Sequence, residues 1–399
     1  MLTGLVKKRG LIVLAALLLL SIPGVGEAAG EQLSEHDMVK TFIDLNSFSV
    51  IFLFVLGFLG GLISGFIGSG GAFVLTPGMM SLGVPGAIAV ATNMCHKFPK
   101  SLVGAYKRFK YGQVDIKLGL IMGISATVGV QIGIQIQKWI LAQWGPAGSN
   151  LYVSLIFVGI LTVLGAFIFI DAINTMRGRN QSGTTSLAEK IKKIKIPPVI
   201  NFKVANTRVS VWMTVPVGLA TGMLAASIAV GGFVGVPGMI YVLGAPAIVA
   251  TASELVIAFV MGLSGSINWA LGGFIDIRLV VLILAGSLIG VQLGAVGTTY
   301  VKEYVIKLVM STVMLVVSVS RGFAIPTYLH ELGKMELAQS TVTLLKNISF
   351  YTMCLAMAIA GVIVLGSMLK GRKALEAEEA RAALQSGKKG VYAAKAVKS

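Results

Sequence analysis

Four polar residues recur at helical spacing inside an otherwise apolar stretch: Asn93, Lys97, Lys100 and Ser101. At i, i+4, i+7 and i+8 they share one helix face, and His96 lies beside them. A lysine near mid-membrane costs about 3 kcal/mol, so its presence needs a reason. One reason is an anionic ligand. Another is an ion pair with Glu254, a carboxylate in the matching apolar stretch further along the chain. A third is snorkelling of the aliphatic stem to the aqueous edge, easier for Lys100 than for Lys97. Glu254 is equally a candidate proton carrier. His96 has the side chain suited to titration near neutral pH, with packing as a lone polar group as its other reading.

A second set of residues shapes backbone rather than charge. Gly65, Gly68, Gly70 and Gly71 precede Pro77-Gly78, and Gly231-Gly232 precede Pro237-Gly238. Glycine admits positive φ and close approach of a ligand. Proline removes a donor and frees a carbonyl upstream. Helix ends made this way inside a membrane present N–H groups that attract anions. Close helix packing through small residues explains the same glycines differently. Because the break occurs twice in register, Gly70, Gly71, Pro77, Gly231, Gly232 and Pro237 join Thr92, Asn93, Lys97 and Lys100 as candidate substrate-binding residues. Gln131 and Gln292, each inside an apolar stretch, either bond across helices or line the same site. Asn268 and Trp269 are weaker candidates.

Enzyme chemistry has little to stand on. The chain has three histidines and two cysteines, Cys95 and Cys354. It shows no C-x-x-C pair, nucleophile elbow, phosphate-binding loop or H-E-x-x-H helix. No cofactor or metal is implied. The 399 residues are 55% hydrophobic and 12% charged, with mean hydropathy +0.86. At roughly 20 residues per spanning helix there is room for about nine or ten crossings. The net charge of +17 falls in the gaps between apolar runs. That is the distribution of cytoplasmic loops rather than of a nucleic-acid-binding face.

The elements that must position these residues come in two copies. GQVDIK at Gly112–Lys117 returns as GFIDIR at Gly273–Arg278, 161 residues on. GVQIG at Gly129–Gly133 returns as GVQLG at Gly290–Gly294. Asp115 and Asp276 in the paired turns read as N-caps of the helices that follow. Apolar spans are expected near 48–68, 86–106, 117–139, 150–171, 211–230, 246–270, 279–300, 304–320 and 348–369. The start of the chain, residues 1–29, reads as a signal peptide or an uncleaved short helix. The basic stretch 172–210 reads as a cytoplasmic linker.

Four crossings before that linker would put it outside, against the charge rule. The short Gly/Pro piece between Ala72 and Gly83 repairs the count if it also crosses, and its counterpart between Phe233 and Gly244 would cross too. Five crossings per copy make the two halves inverted. If the piece is re-entrant instead, each copy has four and the halves are parallel. Either way the fold class is an all-α polytopic membrane protein. It comprises repeats at 48–171 and 211–320, an extra helix at 348–369 and a cytoplasmic tail at 370–399.

The cluster Gly68-Ser69-Gly70-Gly71 leading to Pro77, the stretch Val90-Ala91-Thr92-Asn93, the GQVDIK turn, the GVQIG helix and their second-half copies resemble the sulfite exporter TauE/SafE family over about residues 48–320. The resemblance implies transport of sulfur-containing anions, such as sulfite or organosulfonates, across a bacterial-type inner membrane. The stretch Cys95-His96-Lys97 and the last helix depart from the plain pattern. The expected function is therefore a secondary transporter of a small anion working by alternating access, with membrane lipid as its surroundings. The alternative is a membrane scaffold whose basic loop and tail bind a cytoplasmic protein or anionic lipid.

Overall fold

The computed structural model describes residues 43–68, 71–178 and 196–385. The expected leader at 1–29, the middle of the basic linker and the end of the tail lie outside the described residues, as does Gly70. Among the described residues ten α-helices follow one another: α1 (Ser47–Ile67), α2 (Ala72–Ser81), α3 (Gly86–Lys110), α4 (Ile116–Met176), α5 (Val211–Ile228), α6 (Gly231–Pro237), α7 (Ala247–Leu271), α8 (Ile277–Gly297), α9 (Glu303–Glu331) and α10 (Gln339–Gln385). Seven described helices are long and apolar enough to cross a membrane. α3 is not among them because its own lysines and arginines lower its hydropathy.

Local chemistry sets the boundaries. Asn46 Oδ1 accepts from Ser49 N at 2.8 Å and starts α1. Gly68, at φ 93°, ends it in a conformation that a Cβ disfavours. Asp115 Oδ1 caps α4 by accepting from Leu118 N, and Asp276 Oδ1 caps α8 by accepting from Arg278 N. Both turns thus carry the expected N-cap. α6 ends at Pro237 and continues as one π-helical turn, Gly238–Val242.

α4 is the expected pair of spans joined at a break. Its 61 residues would reach about 90 Å if straight, three times a membrane core. Gly145 instead takes φ 63° immediately before Pro146, and the helix folds back there. Gln137 Nε2 donates to Ser149 Oγ at 2.6 Å across the break. A straight helix would hold those residues about 18 Å apart.

Two helix bounds differ from those expected, and one short hairpin accompanies the helices. α9 runs on to Glu331, well past 320, and α10 covers Gln339–Gln385 rather than 348–369. α10 continues through polar helix formers beyond its apolar stretch, and α9 through the mixed segment Arg321–Glu331, which Gly322 and Pro326 made look like a helix end. The fold is also not helical throughout. Val199–Phe202 (β1) and Thr207–Ser210 (β2) pair antiparallel, Val199 opposite Ser210 and Phe202 opposite Thr207. Asn206, at φ 47°, turns the chain between them.

Glycines let the long helices touch backbone to backbone. α1 and α8 run side by side in one direction. A Cβ on Gly57, Gly61 or Gly65 would collide with the backbone of Ile283, Ser287 or Val291, and Gly286, Gly290 and Gly294 meet α1 in return. α5 runs along the first arm of α4 in the same manner, with Gly129 and Gly133 against Leu219 and Met223. The glycines of GVQIG and GVQLG are thus packing surfaces. α2 doubles back along α1, Leu75 against Gly60 and Gly78 against Leu56. α6 doubles back along α5, Gly235 against Thr221 and Gly238 against Val217. α3 and α7 run antiparallel, Met94 against Gly265 and Phe98 against Gly262. The second arm of α4 and α9 are antiparallel too, tied by Lys307 Nζ to Asp171 at 2.6 Å, with the Tyr241 hydroxyl donating to the same carboxylate.

Candidate functional site

α3 presents its polar face to the doubled-back helix α2. Asn93 Nδ2 donates to Ala72 O at 3.0 Å and to Thr76 Oγ1 at 2.8 Å, which anchors α2 to α3. Lys97 and Lys100 are both 0% exposed, and neither Nζ has a hydrogen-bond partner among the described residues. Snorkelling, the bland reading for Lys100, is therefore excluded. Ser101 is buried beside them, and its hydroxyl finds no partner among the described residues. His96 Nε2 lies 2.7 Å from Ser287 Oγ on α8.

Glu254 reaches the same place from α7. A Cβ on Gly235 of α6 would run into its Oε2, and Gly68 at the end of α1 faces its Cβ. Its charge acts on Lys97 through space. The two breaks also meet directly, since Phe73 and Phe233 pack edge to face at 4.4 Å between ring centres. Gly71 lies against Gly60 O, Gly231 against Thr221 O, and Gly232, Pro77 and Pro237 are buried. Asn93 and the start of α2 meet on α3, Glu254 acts on Lys97, and the starts of α2 and α6 touch through Phe73 and Phe233.

Other expected residues are engaged elsewhere. Thr92 Oγ1 accepts from Asp276 N at 3.2 Å and holds the second D-I-R turn. Ser253 Oγ does the same for Asp115 N, at 2.9 Å, in the first turn. Thr92 is therefore engaged with a helix start. Gln292 is exposed, and its amide donates to Leu288 O of its own helix. It faces outward because Gly290 and Gly294 take the inward face of α8. Gln131 is half-buried and reaches Ser264 Oγ on α7 at 3.4 Å, a link between helices. Asn268 Nδ2 donates back to Ser264 O, and Trp269 packs on Phe274.

Arg108 was passed over in the sequence. It is fully buried. Nη1 lies 3.5 and 3.4 Å from the carbonyls of Gly65 and Phe66 at the end of α1, and 3.0 Å from Thr251 Oγ1. Nη2 donates to Ile248 O at 2.8 Å and Nε to Gln113 Oε1 at 2.8 Å. A cation at the negative end of α1 thus caps carbonyls left open by the break. The helical period extends the Asn93, Lys97, Lys100, Ser101 face through Gly104 to Arg108. That register was the available signal, hidden because Lys107 and Lys110 made the run look interfacial.

Apolar helices enclosing three buried cations and one carboxylate at two helix breaks define a polytopic membrane protein with a charged interior site. The chain belongs to the sulfite exporter TauE/SafE family, whose model matches residues 53–321. Two relatives from Bacillus subtilis (strain 168) are similar to it. The probable membrane transporter protein YdhB is 25% identical over 253 residues, covering 63% of this chain and 91% of the relative. The probable membrane transporter protein YunE is 23% identical over 277 residues, covering 67% and 96%. No solved structure matches. The protein is a membrane transporter of this family's type, and α10 lies beyond the matched region.

Proposed function

We propose that the protein is a secondary transporter moving a small anion, a sulfur oxyanion or an organosulfonate, across the inner membrane. The observation that carries this reading is the pair Lys97 and Lys100, buried without hydrogen-bond partners among the described residues, where two broken helices meet. An anion bridging the ammonium groups would satisfy them, Ser101 and the start of α2 add donors, and Asn93 holds α2 in place beside them. Glu254, whose field reaches Lys97, balances part of the charge when substrate leaves. It is the candidate for proton coupling, with His96 as its neighbour on α3.

Alternating access follows from rocking one half against the other. The helix directions support inverted halves. α2 returns along α1 and α6 along α5, so each half makes five alternating passes, and the second begins on the face where the first ends. On this reading the repeats occupy 48–171 and 211–320, and the linker 172–210 and the tail 370–399 are cytoplasmic.

Counterflow in proteoliposomes with sulfite, sulfate, thiosulfate and alkylsulfonates tests the reading. Wild type exchanges at least one of them. Lys97→Ala reduces that exchange about 10- to 150-fold, the weight of one charged hydrogen bond. Glu254→Gln retains binding and loses the pH dependence of flux. A wild-type protein that exchanges none of these anions sinks the proposal.

A further inference from the structure

Arg321 is a further buried cation, outside the site described above. It sits on α9 and is 1% exposed. Its Nη2 donates to Ser349 Oγ of α10 at 2.8 Å and Ser81 Oγ of α2 at 3.1 Å, with Ser320 Oγ at 3.5 Å. Nε and Nη1 have no hydrogen-bond partner among the described residues. No described carboxylate pairs with the guanidinium. Glu331, on the same helix, is bound to Lys346 at 3.0 Å at the exposed end of the α9–α10 hairpin. Tyr328 interacts with Arg321 but brings a neutral phenol.

A guanidinium keeps its proton even when buried, and hydroxyls do not neutralise it. Each of its two forks, Nε with Nη2 and Nη1 with Nη2, retains an unused donor. An oxyanion fits there, because it accepts a charged bond from Nε or Nη1 and a further bond from the Ser349 hydroxyl, and it brings the countercharge that no described carboxylate supplies. We infer that Arg321 and Ser349 form a second oxyanion site, with Ser81 positioning the guanidinium at the end of α2 remote from Gly71. The ten residues of α2 then link two anion sites about 15 Å apart. The inference rests on the proposed function only for the identity of the ion. It gives α10, beyond the family match, a function: Ser349 completes a station on the way to or from the lysines.

Equilibrium binding of radiolabelled sulfite, with sulfate as second probe, to the full chain in neutral detergent free of anionic lipid tests it. Wild type binds two anions per chain. Arg321→Gln binds one, and Lys97→Ala loses the other. A monodisperse Arg321→Gln protein that binds as many anions as wild type, equally tightly, overturns the inference. So does a wild type that binds none. If Arg321→Gln does not fold, Ser349→Ala decides: it weakens one site about five- to tenfold, and an unchanged isotherm overturns the assignment. One anion lost in Arg321→Gln but kept in Lys97→Ala preserves this site and sinks the lysine site instead.

Discussion

Arg108 holds five acceptors on α1, α7 and the turn before α4, so its removal reaches further than the loss of one charge. Arg108→Met leaves the end of α1 uncapped and costs on the order of 3 kcal/mol. Arg108→Lys restores the charge but cannot span those acceptors, so rescue is partial at best. Thermal unfolding in detergent checks both, with the order wild type, Lys variant, Met variant. An Arg108→Met protein as stable as wild type would remove the clasp from the account. At this scale the face carrying Asn93, Lys97, Lys100 and Ser101 was legible, because a helical period places polar residues without reference to the rest of the chain. Of its partners, Glu254 opposite Lys97 was legible through the repeat, whereas Ser287 opposite His96 and the carbonyls under Arg108 were not, because they lie on helices distant in sequence. Gln292 shows the converse, since a repeated motif does not carry a repeated environment when glycines claim the inward face.

Among the elements, the paired turns look equivalent in sequence and differ in the fold. Asp115 caps α4 and also accepts from Val204 N and Ala205 N of the β1–β2 hairpin, both at 3.1 Å. Thr207 Oγ1 donates to Leu243 O at 2.7 Å, so the same hairpin also grips the segment after α6. Asp276 caps α8 and otherwise bonds the exposed Arg278. Asp115→Ala therefore costs about 2–3 kcal/mol and Asp276→Ala about 1 kcal/mol. Melting temperatures of the two variants should differ in that order, and equal losses would contradict the hairpin's role. The hairpin escaped the sequence reading because a charge-rich linker masks two four-residue strands whose support comes from α4. The helices were legible almost to their ends, since apolar length is a strong signal. The continuation of α9 past residue 320, through Gly322 and Pro326, was not.

For the whole molecule, the question is which faces of the bundle meet which side of the membrane. Inverted halves place the first D-I-K turn on the cytoplasmic side and its copy on the other. In a protein freed of Cys95 and Cys354, Tyr111→Cys is expected to react with an impermeant maleimide only from the cytoplasm, and Leu271→Cys only from outside. Both positions are exposed, Leu271 at 68%. Labelling from one common side would establish parallel halves. The crossing count argued for inversion from charge alone, and the doubled-back paths of α2 and α6 support it independently. In the proposed function, the charge asymmetry of the site, lysines from one half and a carboxylate from the other, is what selects an anion.

The central claim is that Lys97 and Lys100 bind the transported anion, and counterflow by the Lys97→Ala, Lys100→Ala double variant tests it most directly. The account predicts a folded, monodisperse protein whose exchange of the wild-type substrate falls to background. Exchange at the wild-type rate and half-saturation would contradict it.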